Sequence, residues 1–297
     1  YLKLAIKYKI IDKPNQRSSH TKITVRGGGI LFILAIILFF ILNNYKYPYF
    51  FIGVLAISFV SFLDDIYTLS SKIRFPFQII AILLVLFEVG LPFSPIYILC
   101  LLTGVGIINM FNFMDGINGV TGFYSLAVIS GLYLINMNEN IIDSDLMIYT
   151  FISILIFGFY NFRKKALFFA GDIGSISIGM LIFFLGFYLT YVLNSPLLLL
   201  LVIVYGADAG NTLLYRKFFT QESILEPHRH HIYQKLVDIK KMSHLKVSII
   251  YAILQLIVNV IIFKSYKLEL QTQFLIFSIL VFSFILSYVF LFRKLKA

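Results

Sequence analysis

Charged residues are scarce in this chain, and their scarcity excludes a soluble globular protein. Asp, Glu, Lys and Arg make up 13% of the 297 residues, whereas 60% are hydrophobic. Typical soluble domains have about 25% charged and about 45–50% apolar residues. The single cysteine, Cys100, excludes an internal disulfide. No repeat, low-complexity tract or intervening soluble domain is visible, so we expect a single integral membrane domain over residues 1–297.

The chain does contain a series of long apolar runs with almost no charge. Runs of roughly 18 or more such residues are typical of membrane-spanning helices. They predict an all-α fold, a polytopic transmembrane helical bundle of about ten spans. Residues 1–11 resemble an N-terminal stub of a further helix, and no cleavable signal peptide is recognisable. The predicted spans are 28–43, 48–63, 75–90, 95–111, 119–136, 147–161, 173–193, 197–215, 247–263 and 272–291.

The distribution of lysine and arginine gives the orientation of these spans. Most of the 25 basic residues fall in alternate loops, which the positive-inside rule makes cytoplasmic. All five histidines fall on that side, together with Asp64, Asp65, Asp115 and Asp172. This bias and anionic lipid headgroups explain the net charge of +11, so nucleic-acid binding is not needed to account for it. We therefore expect the chemistry at the cytoplasmic face of the membrane.

Two adjacent carboxylates, Asp64 and Asp65, follow the apolar run 48–63. The helix dipole disfavours anions at that end, and the two carboxylates repel each other. One of them therefore tends to hold a proton or to recruit a cation. We interpret the pair as a base or a cation site, with N-capping of the next segment as the alternative.

Polar residues recur every three positions at the end of another apolar run. Asn109, Asn112, Asp115 and Asn118 share this spacing, and two glycines lie among them. Residues so spaced share a helix face, and their oxygens suit a hard cation such as Mg²⁺. A capped helix end with a glycine turn is the alternative.

Glycine-containing motifs precede two further apolar runs. Asp172 follows Gly171, at the start of a very apolar helix, where it acts either as an N-cap or beside a phosphate bound by backbone N–H groups. Arg26 is followed by Gly27, Gly28 and Gly29, which form either an anion-binding nest or a flexible helix entry.

The longest polar loop contains three histidines and an arginine within four residues, 228–231. Zinc usually needs other spacings and thiolate or carboxylate help, so donors to a diphosphate are the preferred interpretation. Zinc binding and an ordinary loop are the alternatives. Asp208 lies within an apolar span, and an intramembrane carboxylate is a functional candidate by default.

Taken together, the motifs resemble those of the polyprenyl-phosphate N-acetylhexosamine-1-phosphate transferases, glycosyl transferase family 4. The resemblance covers nearly the whole chain, and the motifs occur in the family's order. They are Arg-Ser-Ser-His (17–20), Arg-Gly-Gly-Gly (26–29), Asp-Asp (64–65), Asn-x-x-Asn-x-x-Asp-Gly (109–116), Gly-Asp-x-Gly-Ser (171–175) and His-Arg-x-His (228–231). The first and last motifs are most similar to the branch that initiates O-antigen synthesis.

The resemblance implies roles for individual residues. It puts Asn112 and Asp172 near Mg²⁺, with Mn²⁺ as an alternative, and makes Asp64 the base on the lipid phosphate with Asp65 beside it. Asp115 would lie near the nucleotide as a further catalytic residue. The substrate-binding residues would be Arg26, Asn109, Asn118, His228, Arg229, His230 and His231.

The resemblance also implies the reaction. An N-acetylhexosamine 1-phosphate, or its 6-deoxy counterpart, would pass from a UDP-sugar to undecaprenyl phosphate, and UMP would leave. The product would initiate O-antigen or another cell-envelope glycan, and a homodimer is expected. The alternatives are the phospho-N-acetylmuramoyl-pentapeptide transferase of peptidoglycan synthesis and, in another class, a membrane transporter or lipid flippase.

Overall fold

The structure is a computed structural model that describes residues 1–12, 23–220 and 228–295. Residues 17–20 of the first motif lie outside this part of the chain. Strands β1 (Ile11–Asp12) and β2 (Thr24–Val25) pair antiparallel, and a 3₁₀ segment, Pro196–Val202, leads into α9. The helices are α1 (Leu2–Lys7), α2 (Ile30–Leu42), α3 (Pro48–Tyr67), α4 (Ser71–Glu88), α5 (Ile96–Met114), α6 (Val120–Glu139), α7 (Ser144–Asn161), α8 (Gly171–Leu193), α9 (Ile203–Phe219), α10 (Ile232–Asp238), α11 (His244–Ser265) and α12 (Leu270–Lys294).

The predicted polytopic helical bundle is confirmed. Eight helices of the described ranges are long and apolar enough to cross a membrane. Each predicted span contains a helix, although α2 has only 13 residues and α4 carries charges at both ends. The two strands were missed because each has two residues, too few for an alternating pattern.

Several helices continue past the apolar run that predicts them. Helix α3 extends to Tyr67, so Asp64 and Asp65 lie in its last turn. Helix α4 begins at Ser71, four residues before the predicted span, and α5 continues to Met114. The apolar run ends where the chain reaches the polar boundary, but backbone hydrogen bonds extend the helix further. Asp64, Asp65 and Asn112 are therefore helical residues.

Helix α8 lies at the centre of the bundle. It packs against α3 and α5, and also contacts α2 and α6. Nearly all side chains over 173–185 are buried, whereas α12 exposes Phe274, Phe282 and Phe290 at the surface, as a lipid-facing helix does. We call the end of the bundle where α3 and α5 finish and α8 begins the site end, and the opposite one the far end.

Candidate active site

Asp65, in the last turn of α3, caps the start of α8. Its carboxylate oxygens accept the backbone N–H groups of Asp172 and Ile173 at 3.0 and 3.1 Å, and its side chain is fully buried. The first N–H groups of a helix have no partner within it, and the helix dipole favours an anion there. The capping alternative for the pair therefore holds for Asp65, but on α8 and not on the next segment. These N–H groups at the start of α8 are bound by a carboxylate of the protein itself.

Arg74, in the first turn of α4, bridges the carboxylates of Asp64 and Asp172. Its Nη1 lies 2.7 Å from Asp64 Oδ2 and 3.3 Å from Asp172 Oδ2. Asp64 also accepts the backbone N–H of Leu69. The carboxylates of Asp64 and Asp172, which contact the same guanidinium nitrogen, would repel each other without a cation between them. The guanidinium is that cation in this structure.

Asn112 and Asp172, the two predicted metal ligands, are in direct contact. Asn112 Nδ2 donates to Asp172 Oδ1 at 2.9 Å and to Ser175 Oγ at 3.2 Å. The Asp172 side chain is 22% exposed, whereas that of Asp64 is 6% exposed. Asp172 is thus the more accessible of these two carboxylates.

Arg26 approaches the same cluster from the chain that leads into α2. Its Nε lies 3.7 Å from Asp65 Oδ1. Burial lowers the pKa of Arg26, but the negative charges of Asp65 and Asp172 outweigh burial and the pKa is raised. Two arginines, Arg26 and Arg74, therefore face three carboxylates at the site end.

The glycines after Arg26 serve close packing. Gly28 and Gly29 donate their N–H groups to the carbonyls of Phe169 and Ala170 at 2.8 and 2.9 Å. A Cβ on Gly29 would lie 2.0 Å from the Cα of Gly174, so the two backbones are in contact. The N–H groups of Gly28 and Gly29 therefore do not form the anion-binding nest considered from the sequence, because they donate to carbonyl groups of the protein.

Asp115 ends α5 and accepts a hydrogen bond from Thr121. Burial raises the pKa of the Asp115 carboxyl to about 7. The hydrogen bond from Thr121 and the charge of Arg26 oppose this rise, and the charge of Asp172 adds to it. Asp115 is therefore electrostatically coupled to the cluster.

Two predicted substrate-binding asparagines join helices and loops to one another. Asn109 exchanges side-chain amide hydrogen bonds with Gln78 of α4, at 2.8 and 3.2 Å. Asn118 Nδ2 donates to the carbonyls of Arg163 and Lys164 at 2.9 and 3.3 Å. The side-chain hydrogen bonds of both are thus made within the protein in this structure.

The predicted donors in 228–231 lie just before α10. Arg229 forms a two-pronged pair with Asp238, with distances of 2.8 and 3.0 Å from Nη2 and Nε to Oδ2. The rings of His228 and His230 stack with centroids 5.7 Å apart, and His231 is buried. The guanidinium of Arg229, which the sequence analysis assigns to a diphosphate, is thus paired with a carboxylate at the end of α10.

Helix α10 attaches this segment to the end of α5. The hydroxyl of Tyr233 donates to the carbonyl of Phe113 at 3.1 Å, next to Asn112. The His-Arg motif and the asparagine motif therefore meet at the same end of the bundle.

Comparison with known sequences agrees with this arrangement. A model of "Glycosyl transferase family 4" matches residues 47–190, a stretch that contains all three carboxylates of the cluster, Asn112 and Arg74. Over this stretch the chain is similar to members of glycosyl transferase family 4. The family resemblance inferred from the motifs is thereby confirmed.

Curated relatives extend the match beyond that stretch. A probable undecaprenyl-phosphate N-acetylglucosaminyl 1-phosphate transferase of Bacillus subtilis is 27% identical over 96% of this chain and 86% of its own length. Undecaprenyl-phosphate alpha-N-acetylglucosaminyl 1-phosphate transferases of Yersinia pestis and Escherichia coli K12 are 26% and 28% identical. Each of these two matches covers 79% of this chain and 71% of the relative.

The cluster suits a cation that shares its coordination with substrate. Within residues 1–12, 23–220 and 228–295, no three His, Cys, Asp or Glu side chains are grouped so as to hold a metal ion by themselves. Mg²⁺ is usually bound by one or two carboxylates, waters and substrate phosphates, so it does not need such a cage. Asp64, Asp172 and Asn112 supply oxygen ligands of the right kind, and Arg74 already places one positive charge between the two carboxylates. The residues present therefore fit Mg²⁺.

Sequence reasoning missed the role of Arg74. It counted Arg74 only among the residues that set the membrane orientation. The available signal was its place ten residues after Asp64, at the start of the helix that follows. A cation near a carboxylate pair at the same membrane face is a candidate partner, but the turn between α3 and α4 decides whether the two meet.

Proposed function

We propose that the protein transfers an N-acetylhexosamine 1-phosphate from a UDP-sugar to undecaprenyl phosphate, giving a lipid-linked diphosphosugar and UMP. The observation that carries the proposal is the cluster of Asp64, Asp65, Asp172, Arg26 and Arg74 at the site end. Its alternating charges suit a diphosphate with a bound cation. The relatives from Bacillus subtilis, Yersinia pestis and Escherichia coli are named for this chemistry.

In this proposal, Asp64 serves the acceptor. A phosphate oxygen of undecaprenyl phosphate attacks the β-phosphorus of the UDP-sugar, and the bond to the UMP oxygen breaks. Asp64 keeps the attacking phosphate ionised, and Arg74 exchanges its contact with the carboxylates for the incoming phosphates. A polyprenyl chain stays in lipid while its head group reaches the site end.

The donor is held by charge and position. Arg26 and Arg74 neutralise the diphosphate, and Asp172 with Asn112 would hold Mg²⁺, or Mn²⁺ in its place. The cation supplies charge neutralisation on the phosphoryl oxygens. Asp115 and Asn118 would lie near the nucleotide, and segment 228–231 near the sugar diphosphate. No covalent intermediate with the enzyme is needed, so catalysis rests on positioning and electrostatics.

The biological setting is part of the proposal. The positive-inside rule supports a cytoplasmic position of the site end. The membrane of the proposal is a bacterial inner membrane, which borders the cytoplasm. The product would initiate an O-antigen or another envelope glycan. The homodimer stays a prediction. The names of the relatives favour N-acetylglucosamine over the muramoyl-pentapeptide substrate of peptidoglycan synthesis.

Radiolabel transfer tests the proposal. Purified protein is incubated with UDP-N-acetylglucosamine labelled in the sugar and with undecaprenyl phosphate, with and without EDTA. We expect a labelled lipid that forms only without EDTA and returns when Mg²⁺ is added in excess. Failure to form a labelled lipid from any of a panel of UDP-N-acetyl sugars contradicts the transferase. Uptake of label into proteoliposomes without lipid product would favour the transporter.

A further inference from the structure

Asp208 is a buried carboxylate in the middle of α9 that the proposed chemistry does not use. It is 3% exposed. Its Oδ1 accepts the backbone N–H of Ile232 at 2.9 Å, and its Oδ2 accepts that of Tyr233 at 3.1 Å. The hydroxyl of Tyr251, on α11, also donates to Oδ2, at 2.6 Å. One carboxylate therefore connects α9, α10 and α11.

These contacts fix the segment that contains the histidines. Ile232 and Tyr233 are the first two residues of α10, and His231 precedes them. His231 Nδ1 lies 3.4 Å from Asp208 Oδ1, although the two atoms lack the alignment of a hydrogen bond. Asp208 thus determines where segment 228–231 ends and α10 starts.

Helix α10 also contacts the end of α5 and the turn that follows it. The Tyr233 hydroxyl donates to the carbonyl of Phe113. A Cβ on Gly116 would lie 2.1 Å from that hydroxyl, so the turn packs directly on Tyr233. A shift of α10 therefore moves the surroundings of Asn112 and Asp115 as well.

Capping a helix of seven residues with a buried carboxylate costs more free energy than capping it with a neutral side chain. Helices α7 and α11 are capped by the side chains of their own preceding residues, Asp143 and Ser243. Burying a charge within a membrane protein is unfavourable unless the charge is well paired. A local serine or asparagine would satisfy the same N–H groups at lower cost. What the distant carboxylate adds is a fixed position of α10 relative to α9 and α11.

We propose that Asp208, supported by Tyr251, is a positioning residue that holds segment 228–231 in place for the diphosphate of the sugar donor. The inference rests on the proposed transferase function. Asp208 acts through α10 and does not itself touch substrate. Its loss therefore affects binding of the UDP-sugar more than binding of the lipid acceptor.

The test is Asp208→Asn in the purified enzyme, with Michaelis constants measured separately for the two substrates. Asparagine keeps the shape but presents an N–H group where one of the two oxygens accepts a backbone donor. We expect the KM for UDP-N-acetylglucosamine to rise about tenfold, the effect of losing one hydrogen bond to a charged group. The KM for undecaprenyl phosphate should stay within about twofold.

Two tyrosines, Tyr251 on α11 and Tyr266 directly after its end, provide a matched pair for the case in which Asp208→Asn does not fold. Tyr251 and Tyr266 are each 5% exposed, and each hydroxyl donates to a carboxylate at 2.6 Å, to Asp208 at one end and Glu139 at the other. Tyr251→Phe should raise the KM for the UDP-sugar about threefold, whereas Tyr266→Phe should leave it unchanged.

The outcomes separate this inference from the function on which it depends. If wild-type protein transfers sugar and Tyr251→Phe behaves like Tyr266→Phe, the positioning role is wrong. The same holds if Asp208→Asn folds and changes both KM values equally. If wild-type protein forms no product from any UDP-N-acetyl sugar, the transferase proposal itself fails, and the positioning role fails with it.

Discussion

Carboxylates lie at both ends of the bundle, but they are paired in different ways. At the far end, Lys46 Nζ contacts Asp143 Oδ2 at 2.7 Å, and Lys267 Nζ contacts Glu139 Oε1 at 2.6 Å. Both lysines are more than half exposed. Glu88 caps the start of α3 alone. Each of these three acids has its own partners, and exposed pairs of this kind contribute little to stability.

At the site end the acids share their partners. Asp64 and Asp172 contact the same guanidinium, and Asp65 is fully buried between Arg26 and the start of α8. Such a cluster is costly to bury, and its three carboxylates outnumber the two arginines. The comparison teaches that the number of acids does not mark the site. The site is distinguished by neighbouring carboxylates that share too few cations to neutralise all of them.

The largest expected effect comes from Asp172→Asn. The variant keeps the shape of the side chain but loses the charge that Asn112 and Arg74 contact. We expect transfer to fall by about three orders of magnitude or more, and Asp64→Asn to do the same. Radiolabel transfer measures the loss, and thermal melting in detergent should show that both variants are folded.

Asp143→Asn is the far-end counterpart. It removes the charge that pairs with Lys46 and the carboxylate that caps α7. The melting temperature should therefore fall slightly, while transfer stays within about twofold of wild type. Full transfer by Asp172→Asn, or a loss of transfer in Asp143→Asn as great as at the site end, would contradict the distinction between the two ends.

Arg74→Gln should have the next largest effect. It leaves Asp64 and Asp172 facing each other without the shared cation, so we expect transfer to fall about a hundredfold and the KM for the UDP-sugar to rise. Arg74→Lys should recover only part of this loss, because an ammonium is a compact charge that replaces a planar fork poorly. Lys46→Gln is the matched control at the far end. If Arg74→Gln transfers as well as Lys46→Gln, the bridge has no part in the reaction.

A moderate effect of pH on thermal stability is expected, because the Asp115 carboxyl ionises. Its folded pKa is about 7, above the value of about 3.9 in an unfolded chain. The folded state therefore binds an extra proton on Asp115 between these values, so the contribution of Asp115 to stability is fully present below about pH 4 and is lost as pH rises to about 7. Thermal melts at pH 5.5 and 8 should show this decrease in wild type and a smaller one in Asp115→Asn. An equal decrease in both would contradict the raised pKa.

The smallest effect is expected from Lys267→Gln, which removes an exposed partner of Glu139. Tyr266 still donates to that carboxylate. Transfer should be unchanged and the melting temperature nearly so. A marked loss of transfer would mean that the far end also contributes to the reaction.

Much of the fold follows from the sequence, because membrane helices depend on local composition. Each predicted span contains a helix, and the charge bias of the loops puts the Asp-Asp, asparagine and His-Arg motifs at one face. In the structure Tyr233, two residues after the His-Arg motif, contacts the carbonyl of Phe113 in the asparagine motif, so these two motifs lie at the same end of the bundle. The family also followed from the order of the motifs.

The pairings within the site could not be predicted. Arg74 contacts Asp172 across 98 positions, and Asp65 caps α8 across 107. A carboxylate at a helix end looks the same in the sequence whether it will bind a cation, an arginine or the N–H groups of another helix. Asp208 was predicted to be functional because it is charged, but only the packing of α9 on α10 and α11 gives it partners.

The contact between Gly29 and Gly174 has a consequence for how the enzyme can evolve. Arg26 lies three residues before one glycine and Asp172 two residues before the other, so main chain touching main chain sets the gap between a cation and an acid. No side chain can be trimmed to make room for a methyl group there. Alanine at Gly29 would wedge α2 away from α8 and widen the mouth of the site.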